Sequence, residues 1–161
     1  MSDTAVLVID MLHAYRHPDA ELLTPNGADI IDPIAGLIRV ARDHEDVDLI
    51  YVNDNYGDFT AGSDDIVRSA LDGQRPDLVK PIVPEKGCHF LTTARHSVFY
   101  ATPPDYLLAR LDTKRLILTG QVTEHCILYS ALDAYVRISP SGYRRVRSPA
   151  STPTSVMPRC A

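Results

Sequence analysis

The 161-residue chain contains no tryptophan, three phenylalanines and three cysteines. The cysteines, Cys88, Cys126 and Cys160, are odd in number and far apart, which argues against a disulfide framework or a zinc site. The sequence also lacks an apolar run long enough to cross a bilayer, and no basic segment precedes its first apolar residues as in a signal peptide. We therefore expect a cytoplasmic protein.

Basic residues are in the minority, with 16 Lys and Arg against 21 Asp and Glu and a formal net charge of −5. Because no long basic run is present, neither nucleic acid nor an anionic membrane is an expected partner. The hydrophobic fraction of 45% is typical of a globular protein, and 161 residues are enough for one domain with a buried core. We expect a small-molecule partner and no cofactor.

Apolar runs at residues 5–9, 47–52 and 115–119 predict buried strands. Helical spacing predicts helices at residues 30–41, with Pro33 in the first turn, at 66–71, at 102–111, and after Gly120. Short extended pieces are expected at 82–83 and 90–91. Alternating strands and helices predict a three-layer α/β domain with a mainly parallel sheet. The last helix would have Thr123 as its N-cap, and its predicted apolar face comprises Ile127, Leu128, Ala131, Leu132 and Tyr135.

Residues 137–161 differ in composition from residues 1–136. They contain five Arg, four Pro and five Ser but no Asp or Glu, so their net charge is +5 against −10 for the rest of the chain. This composition predicts a disordered tail after a domain at 1–136. A functional basic tail is one interpretation. Our hypothesis is that the abrupt change reflects translation in a shifted frame, which resequencing of the gene would test.

Two reactive side chains follow predicted strands, Asp10 after the first and Cys126 after the third. Ligands of parallel sheets bind beyond the carboxyl ends of the strands. The start of a helix lowers the pKa of a thiol, and a neighbouring carboxylate can accept its proton, so the two residues fit a nucleophile and its base. Taken singly, a buried apolar cysteine and a turn-forming aspartate are the more frequent cases.

Three sequence blocks resemble the isochorismatase-like cysteine hydrolases, in particular their amidase and nicotinamidase-related branch. They are AVLVIDML at residues 5–12, RHSVFY at 95–100, where Val98 replaces the usual alanine, and LILTGQVTEHCILYSALDA at 116–134. The blocks follow one another in the family's order and spacing, and the resemblance covers residues 4 to about 136.

The resemblance implies that Asp10 is the general base and Cys126 the nucleophile that attacks an amide carbonyl. It implies an oxyanion site at the backbone N–H groups of His125 and Cys126, and a cis peptide bond between Val122 and Thr123. Some relatives instead cleave the vinyl ether of isochorismate, and these commonly lack the cysteine. Cys126 therefore favours hydrolysis of a C–N bond.

The sequence departs from the family at Thr93, which occupies the position of the family's catalytic lysine and carries no charge. The metal-binding relatives have histidines in the loop after the second strand. Residues 53–60 contain no histidine, so we expect no catalytic metal. In this loop Asn53, Asn55 and Tyr56 would line the substrate pocket or simply form turns.

Two hypotheses remain open from the sequence. The chain is either a cysteine hydrolase, or a catalytically impaired or non-catalytic homologue, for example a binding module. In the second case Thr93 replaces the lysine, and the family's C-terminal strand and helix are missing after Val136 or replaced through a frameshift. Relatives form dimers or tetramers, so the resemblance also implies a homo-oligomer. His89, His96 and His125 are interpreted as separate surface or hydrogen-bonded residues without a metal.

Overall fold

A computed structural model of the protein describes residues 3–137, so the predicted tail lies outside the described residues except for Arg137. The strands are β1 (Thr4–Ile9), β2 (Val47–Asp54), β3 (His89–Thr93) and β4 (Arg115–Gly120). The helices are α1 (Ala20–Asp43), α2 (Ser63–Leu71), α3 (Pro76–Val79), α4 (Pro104–Arg110) and α5 (Leu128–Arg137). A 3₁₀ turn (Lys80–Ile82) follows α3, and a π-helical turn (Thr123–Ile127) precedes α5.

The four strands form one parallel sheet in the order β3-β2-β1-β4, which confirms the predicted α/β class. Ile9, the last residue of β1, pairs with Val52 of β2 on one side and with Gly120 of β4 on the other. The chain adds β2 and β3 on one side of β1 and then crosses to add β4 on the other. This reversal opens a crevice at the carboxyl ends of β1 and β4, the place where open α/β sheets bind ligands.

Helices cover both faces of the sheet. All six residues of β1 are buried, and because strand side chains alternate, they divide between two cores. Val6 and Val8 pack with residues of α1, α2 and α3, whereas Ala5, Leu7 and Ile9 pack with residues of α4, α5 and the π-helical turn. This is the predicted three-layer arrangement. In the part of the chain that the structure describes, no helix is long and apolar enough to span a membrane.

Helix α1 begins at Ala20, ten residues before the predicted start, and Pro33 lies in its interior together with Pro25. The prediction was wrong because the buried face extends back through Gly27 to Ala20. Burial of that face outweighs the backbone hydrogen bonds that the prolines cannot make. Residues 82–83 also differ from the expected extended piece, since Ile82 closes the 3₁₀ turn after α3. The extended piece expected at 90–91 is present as β3.

The segment after β4 begins one residue earlier than predicted and with a wider turn. Val122 occupies the N-cap position, and Thr123 is the first residue of the π-helical turn. The N–H of Ile127 donates to the carbonyl of Val122 at 3.4 Å, so the turn holds one more residue than an α-helical turn. The extra residue rotates the following helix, and the face that turns inward consists of Ile127, Ser130, Ala131 and Ala134. The remaining residues of the predicted apolar face are exposed: Leu128 (43%), Leu132 (55%) and Tyr135 (80%).

Gly120 allows β1 and β4 to meet at the crevice. Its φ is +132°, and a Cβ atom at this position would lie 1.9 Å from the carbonyl oxygen of Ile9. No side chain fits at that distance, because the obstructing atoms belong to the backbone of the neighbouring strand.

We expect Gly120→Ala to lower the free energy of unfolding by about 3 kcal/mol or more, since the new methyl group would strain the backbone and separate the two strands. Urea denaturation would measure this. Gly36→Ala is the matched control: the atom nearest to its new Cβ is a flexible Arg39 nitrogen at 3.8 Å. This helical substitution should raise stability by roughly 0.5–1 kcal/mol. Equal stability of Gly120→Ala and the unsubstituted protein would contradict the close approach.

Candidate active site

Asp10 directly follows β1 and has a left-handed backbone conformation with φ of 52°. Its backbone N–H donates to the carbonyl of Val52 at 2.9 Å, which extends the pairing with β2 by one residue. Its carboxylate oxygen Oδ1 accepts a hydrogen bond from the backbone N–H of Asp54 at 2.8 Å. The end of β2 therefore fixes both the main chain and the side chain of Asp10.

Cys126 lies in the π-helical turn after β4, and a side-chain hydrogen bond joins it to Asp10. The structure thus brings together the two residues that the sequence predicted as nucleophile and base. They are 116 positions apart in the chain, and the pairing of β1 with β4 accounts for their proximity.

Burial dominates the proton affinities of this pair. It raises the pKa of the Asp10 carboxyl to about 6, although the hydrogen bonds from Cys126 and Asp54 act in the opposite direction. Burial also raises the pKa of the Cys126 thiol well above its usual value, and the charge and hydrogen bond of Asp10 add to the increase. The expectation that the helix start lowers this pKa was wrong, because burial and the neighbouring carboxylate outweigh it. At neutral pH the proton therefore resides on sulfur.

The cis peptide bond joins Gln121 to Val122, one position before the predicted Val122–Thr123 bond. The Val122 backbone makes a hydrogen bond to Cys126 that lowers the pKa of the thiol, which identifies the Val122 N–H as a donor directed at sulfur. The predicted oxyanion donor at His125 has another partner, since its N–H donates to the Val122 carbonyl at 3.2 Å. Thr123 is exposed, and Val122 occupies the N-cap position predicted for it.

Thr93 is the last residue of β3 and lies beside Asp54 of β2. It is 4% exposed, and its carbonyl accepts a hydrogen bond from the Asn55 N–H at 2.9 Å. The sheet therefore brings Thr93 to the same edge as Asp10, with the backbone of Asp54 between them. Its side chain carries no charge toward the pair.

The three predicted pocket residues also lie at this edge. Asn53 and Asp54 belong to β2, so the loop is shorter than predicted. Asn53 is buried, and its amide accepts from the Leu12 N–H at 3.0 Å and donates to the Leu12 carbonyl at 3.2 Å. Asn55 accepts from the Gly57 N–H at 3.0 Å, as in an ordinary turn. The hydroxyl of Tyr56, whose side chain is half exposed, donates to the Leu12 carbonyl at 2.9 Å.

Two of the three histidines interpreted as separate are in contact. The rings of His96 and His125 stack with centroids 5.0 Å apart, and the ring of Tyr129 lies 5.7 Å from that of His96. The loop that carries His96 is fixed to α5, because the Val98 N–H donates to the Ser130 hydroxyl at 3.0 Å. Within residues 3–137, no group of three His, Cys, Asp or Glu side chains is placed to hold a metal ion.

Sequence reasoning missed Gln121. Its side-chain amide donates to the carbonyl of Asp10 at 3.0 Å, and its backbone N–H donates to the carbonyl of Ile9 at 3.1 Å. The pattern at residues 116–134 singled out Gly120 and Cys126, but only the order of the strands shows that the residue after Gly120 faces Asp10.

Comparison with known proteins relates the chain to one family. The isochorismatase domain family matches residues 4–138. The isochorismatase family protein YaaI of Bacillus subtilis, which is uncharacterized, is 32% identical over 136 residues, covering 84% of this chain and 75% of YaaI. Maleamate amidohydrolase of Pseudomonas putida is 27% identical over 138 residues, covering 81% of this chain and 64% of that enzyme.

A solved structure has the same fold. The cysteine hydrolase from Pseudomonas syringae pv. phaseolicola superposes with a TM-score of 0.66 and 25% identity, over 91% of this chain and 70% of that one. Together with the match of the family over residues 4–138, this likeness assigns the chain: it belongs to the isochorismatase family of hydrolases.

Proposed function

We propose that the protein hydrolyses an amide-type C–N bond of a small molecule, with Cys126 as nucleophile and Asp10 as general base. The observation that carries the proposal is that the half-buried Cys126 thiol lies within hydrogen-bond reach of the Asp10 carboxylate. A nucleophile within hydrogen-bond reach of a base is the arrangement required for covalent catalysis at a carbonyl. The relationship to a maleamate amidohydrolase supports an amide as the substrate class.

The first half of the reaction forms a thioester. Cys126 Sγ bonds to the carbonyl carbon while its proton passes to Asp10 and the carbonyl electrons move onto oxygen. The backbone N–H of Val122, whose hydrogen bond lowers the pKa of the thiol, would donate to that oxygen. The C–N bond then breaks, and Asp10 returns the proton to the leaving nitrogen, so that ammonia or an amine departs.

The second half releases the acid. Water attacks the thioester carbonyl and gives a proton to Asp10, the C–S bond breaks, and the proton returns to Cys126. Each step uses Asp10 alternately as base and acid. A carboxyl with a pKa of about 6 suits both roles near neutral pH, because general catalysts are most effective when their pKa lies near the working pH.

A second candidate is a catalytically impaired homologue, and Thr93 is the observation that favours it. Burial and the negative charges of Asp10 and Asp54 oppose ionisation of the Cys126 thiol, and they outweigh the backbone hydrogen bond from Val122 that favours it. Thr93 supplies no positive charge to compensate. In this case Asp10 and Cys126 would lie in contact, but attack of the thiol on a substrate would be slow.

A screen of small primary amides tests the first candidate directly. We expect release of ammonia by the unsubstituted protein, with the rate rising as the pH passes through about 6 and Asp10 ionises. Cys126→Ala should abolish turnover, and Asp10→Asn should lower it by about 10²–10⁴-fold. Thr119→Val, a buried substitution away from the pair, is the folded control. Turnover that survives Cys126→Ala would exclude Cys126 as nucleophile, and no turnover of any amide would favour the impaired homologue.

Alkylation of Cys126 by iodoacetamide tests the pair without a substrate. We expect slow labelling of the unsubstituted protein at pH 8, and labelling roughly three- to tenfold faster in Asp10→Asn, because removing the negative charge lowers the thiol pKa. Mass spectrometry of the Cys126 peptide gives the rate. The half-buried Cys88 serves as an internal control whose rate should not change. Equal rates at Cys126 in both proteins would show that the side chains do not interact.

Thr93→Lys should accelerate both alkylation and amide hydrolysis by about tenfold or more, because an ammonium at this edge would stabilise the thiolate. Thr92→Lys provides the matched control, since residue 92 is exposed and its side chain points to the other face of β3. It should leave both rates unchanged. If Thr93→Lys folds and neither rate increases, the missing lysine does not limit this site.

A further inference from the structure

Gln121 makes two contacts with the end of β1. Its backbone N–H donates to the Ile9 carbonyl at 3.1 Å, and its side-chain Nε2 donates to the Asp10 carbonyl at 3.0 Å. The residue is 6% exposed, so water does not compete for these hydrogen bonds. The end of β4 is thereby tied to the peptide unit that carries the predicted base.

These contacts hold Asp10 from the side opposite to β2. The Asp10 N–H donates to the Val52 carbonyl of β2, and its carbonyl accepts from Gln121 after β4. Asp10 has φ of 52°, a conformation that a non-glycine residue seldom adopts unless hydrogen bonds such as these two hold it. Because φ sets the direction of the Cα–Cβ bond, the two hydrogen bonds together direct the carboxylate toward Cys126.

The other end of the Gln121 amide lies beside the hydroxyl of Tyr15. Its Oε1 is buried and, among the described residues, has no hydrogen-bond partner of normal geometry. The Tyr15 hydroxyl is buried beside it: the Gln121 side chain lowers the pKa of this hydroxyl, against the increase caused by burial, and both oxygens lie within 4 Å of the position that a Cβ on Gly27 would take. Loss of these contacts would cost stability, so a role in positioning Asp10 has to be recognised from the reactivity of Cys126 and not from the unfolding midpoint.

We propose that Gln121 is a positioning residue, whose side-chain amide holds the Asp10 peptide so that the carboxylate stays against Cys126. This inference rests on the proposed function, since it assigns Gln121 a task within the same nucleophile–base pair. Gln121 itself would not touch the substrate. The titratable groups that face the Asp10 carboxyl are Cys126 from the π-helical turn, and Asp54 and Tyr56 from the end of β2.

Gln121→Met tests the proposal, because methionine keeps the length and volume of the side chain but cannot donate to the Asp10 carbonyl. Thr119→Val is the matched control: it lies two residues earlier in β4, is 1% exposed, and loses a hydroxyl that has no hydrogen-bond partner within the described residues. Two quantities are compared in both variants and in Asp10→Asn. They are the rate of Cys126 alkylation against pH, and the midpoint of urea unfolding.

We expect the Cys126 alkylation of Gln121→Met to become about two- to fivefold faster, short of the increase in Asp10→Asn, and its urea midpoint to fall because the contacts with Asp10 and Tyr15 are lost. Thr119→Val should leave the rate of Cys126 alkylation unchanged. A purely structural role would lower the urea midpoint and leave the alkylation profile of the folded protein unchanged. If Gln121→Met does not fold, Gln121→Asn keeps a polar amide but shortens its reach, and it should show the same faster labelling.

The outcomes separate this inference from the proposal on which it rests. If Asp10→Asn accelerates labelling but both folded Gln121 variants behave like the unsubstituted protein, Gln121 does not position Asp10. If Asp10→Asn itself changes nothing, the pair does not exist, and the proposed function and the inference fall together. Faster labelling in Thr119→Val as well would assign the effect to general loosening of β4 and overturn the role of Gln121.

Discussion

The backbone pairing of β1 with its two neighbours determines the positions of Asp10 and Cys126 in the candidate site. Asp10 continues the pairing with β2 for one residue, and Gly120 lets β4 approach Ile9 without a side chain between them. The turn that carries Cys126 follows at once, so its position depends on that approach. A shift of one residue in either pairing would turn the alternate side chains to the opposite face and separate the carboxylate from the thiol.

Burial then decides how these groups behave chemically. An exposed aspartate and an exposed cysteine would have pKa values several units apart, with the aspartate ionised at any ordinary pH. In this crevice the pKa of Asp10 is raised to about 6, and that of Cys126 is raised further. The pair consequently holds one proton that can move only when a developing bond to sulfur acidifies the thiol. A neighbouring cation would favour that transfer. Thr93 is neutral, so the rate of transfer depends on Asp10 and the backbone alone.

The sequence was sufficient for the fold class, for three of the four strands, and for the proximity of Asp10 and Cys126, because apolar runs and the carboxyl ends of parallel strands follow simple rules. The sequence was insufficient for features that depend on packing between distant parts of the chain. The start of α1 depends on the burial of Ala20 and Gly27. The face of α5 depends on one extra residue in a π-helical turn, and the contact of His96 with His125 depends on how the loop after β3 is fixed to that helix. Gln121 could not be recognised before the order of the strands was known.

The left-handed conformation of Asp10 has an evolutionary consequence. Asparagine tolerates this conformation nearly as well as aspartate, whereas β-branched residues do not. Its side-chain oxygen could still accept the hydrogen bond from Asp54, and no charge would then be buried. A single base change from an aspartate to an asparagine codon would therefore remove the proposed base and leave the fold intact. Cellular quality control detects unfolded chains, so inactive descendants of this protein would persist as stable members of the family.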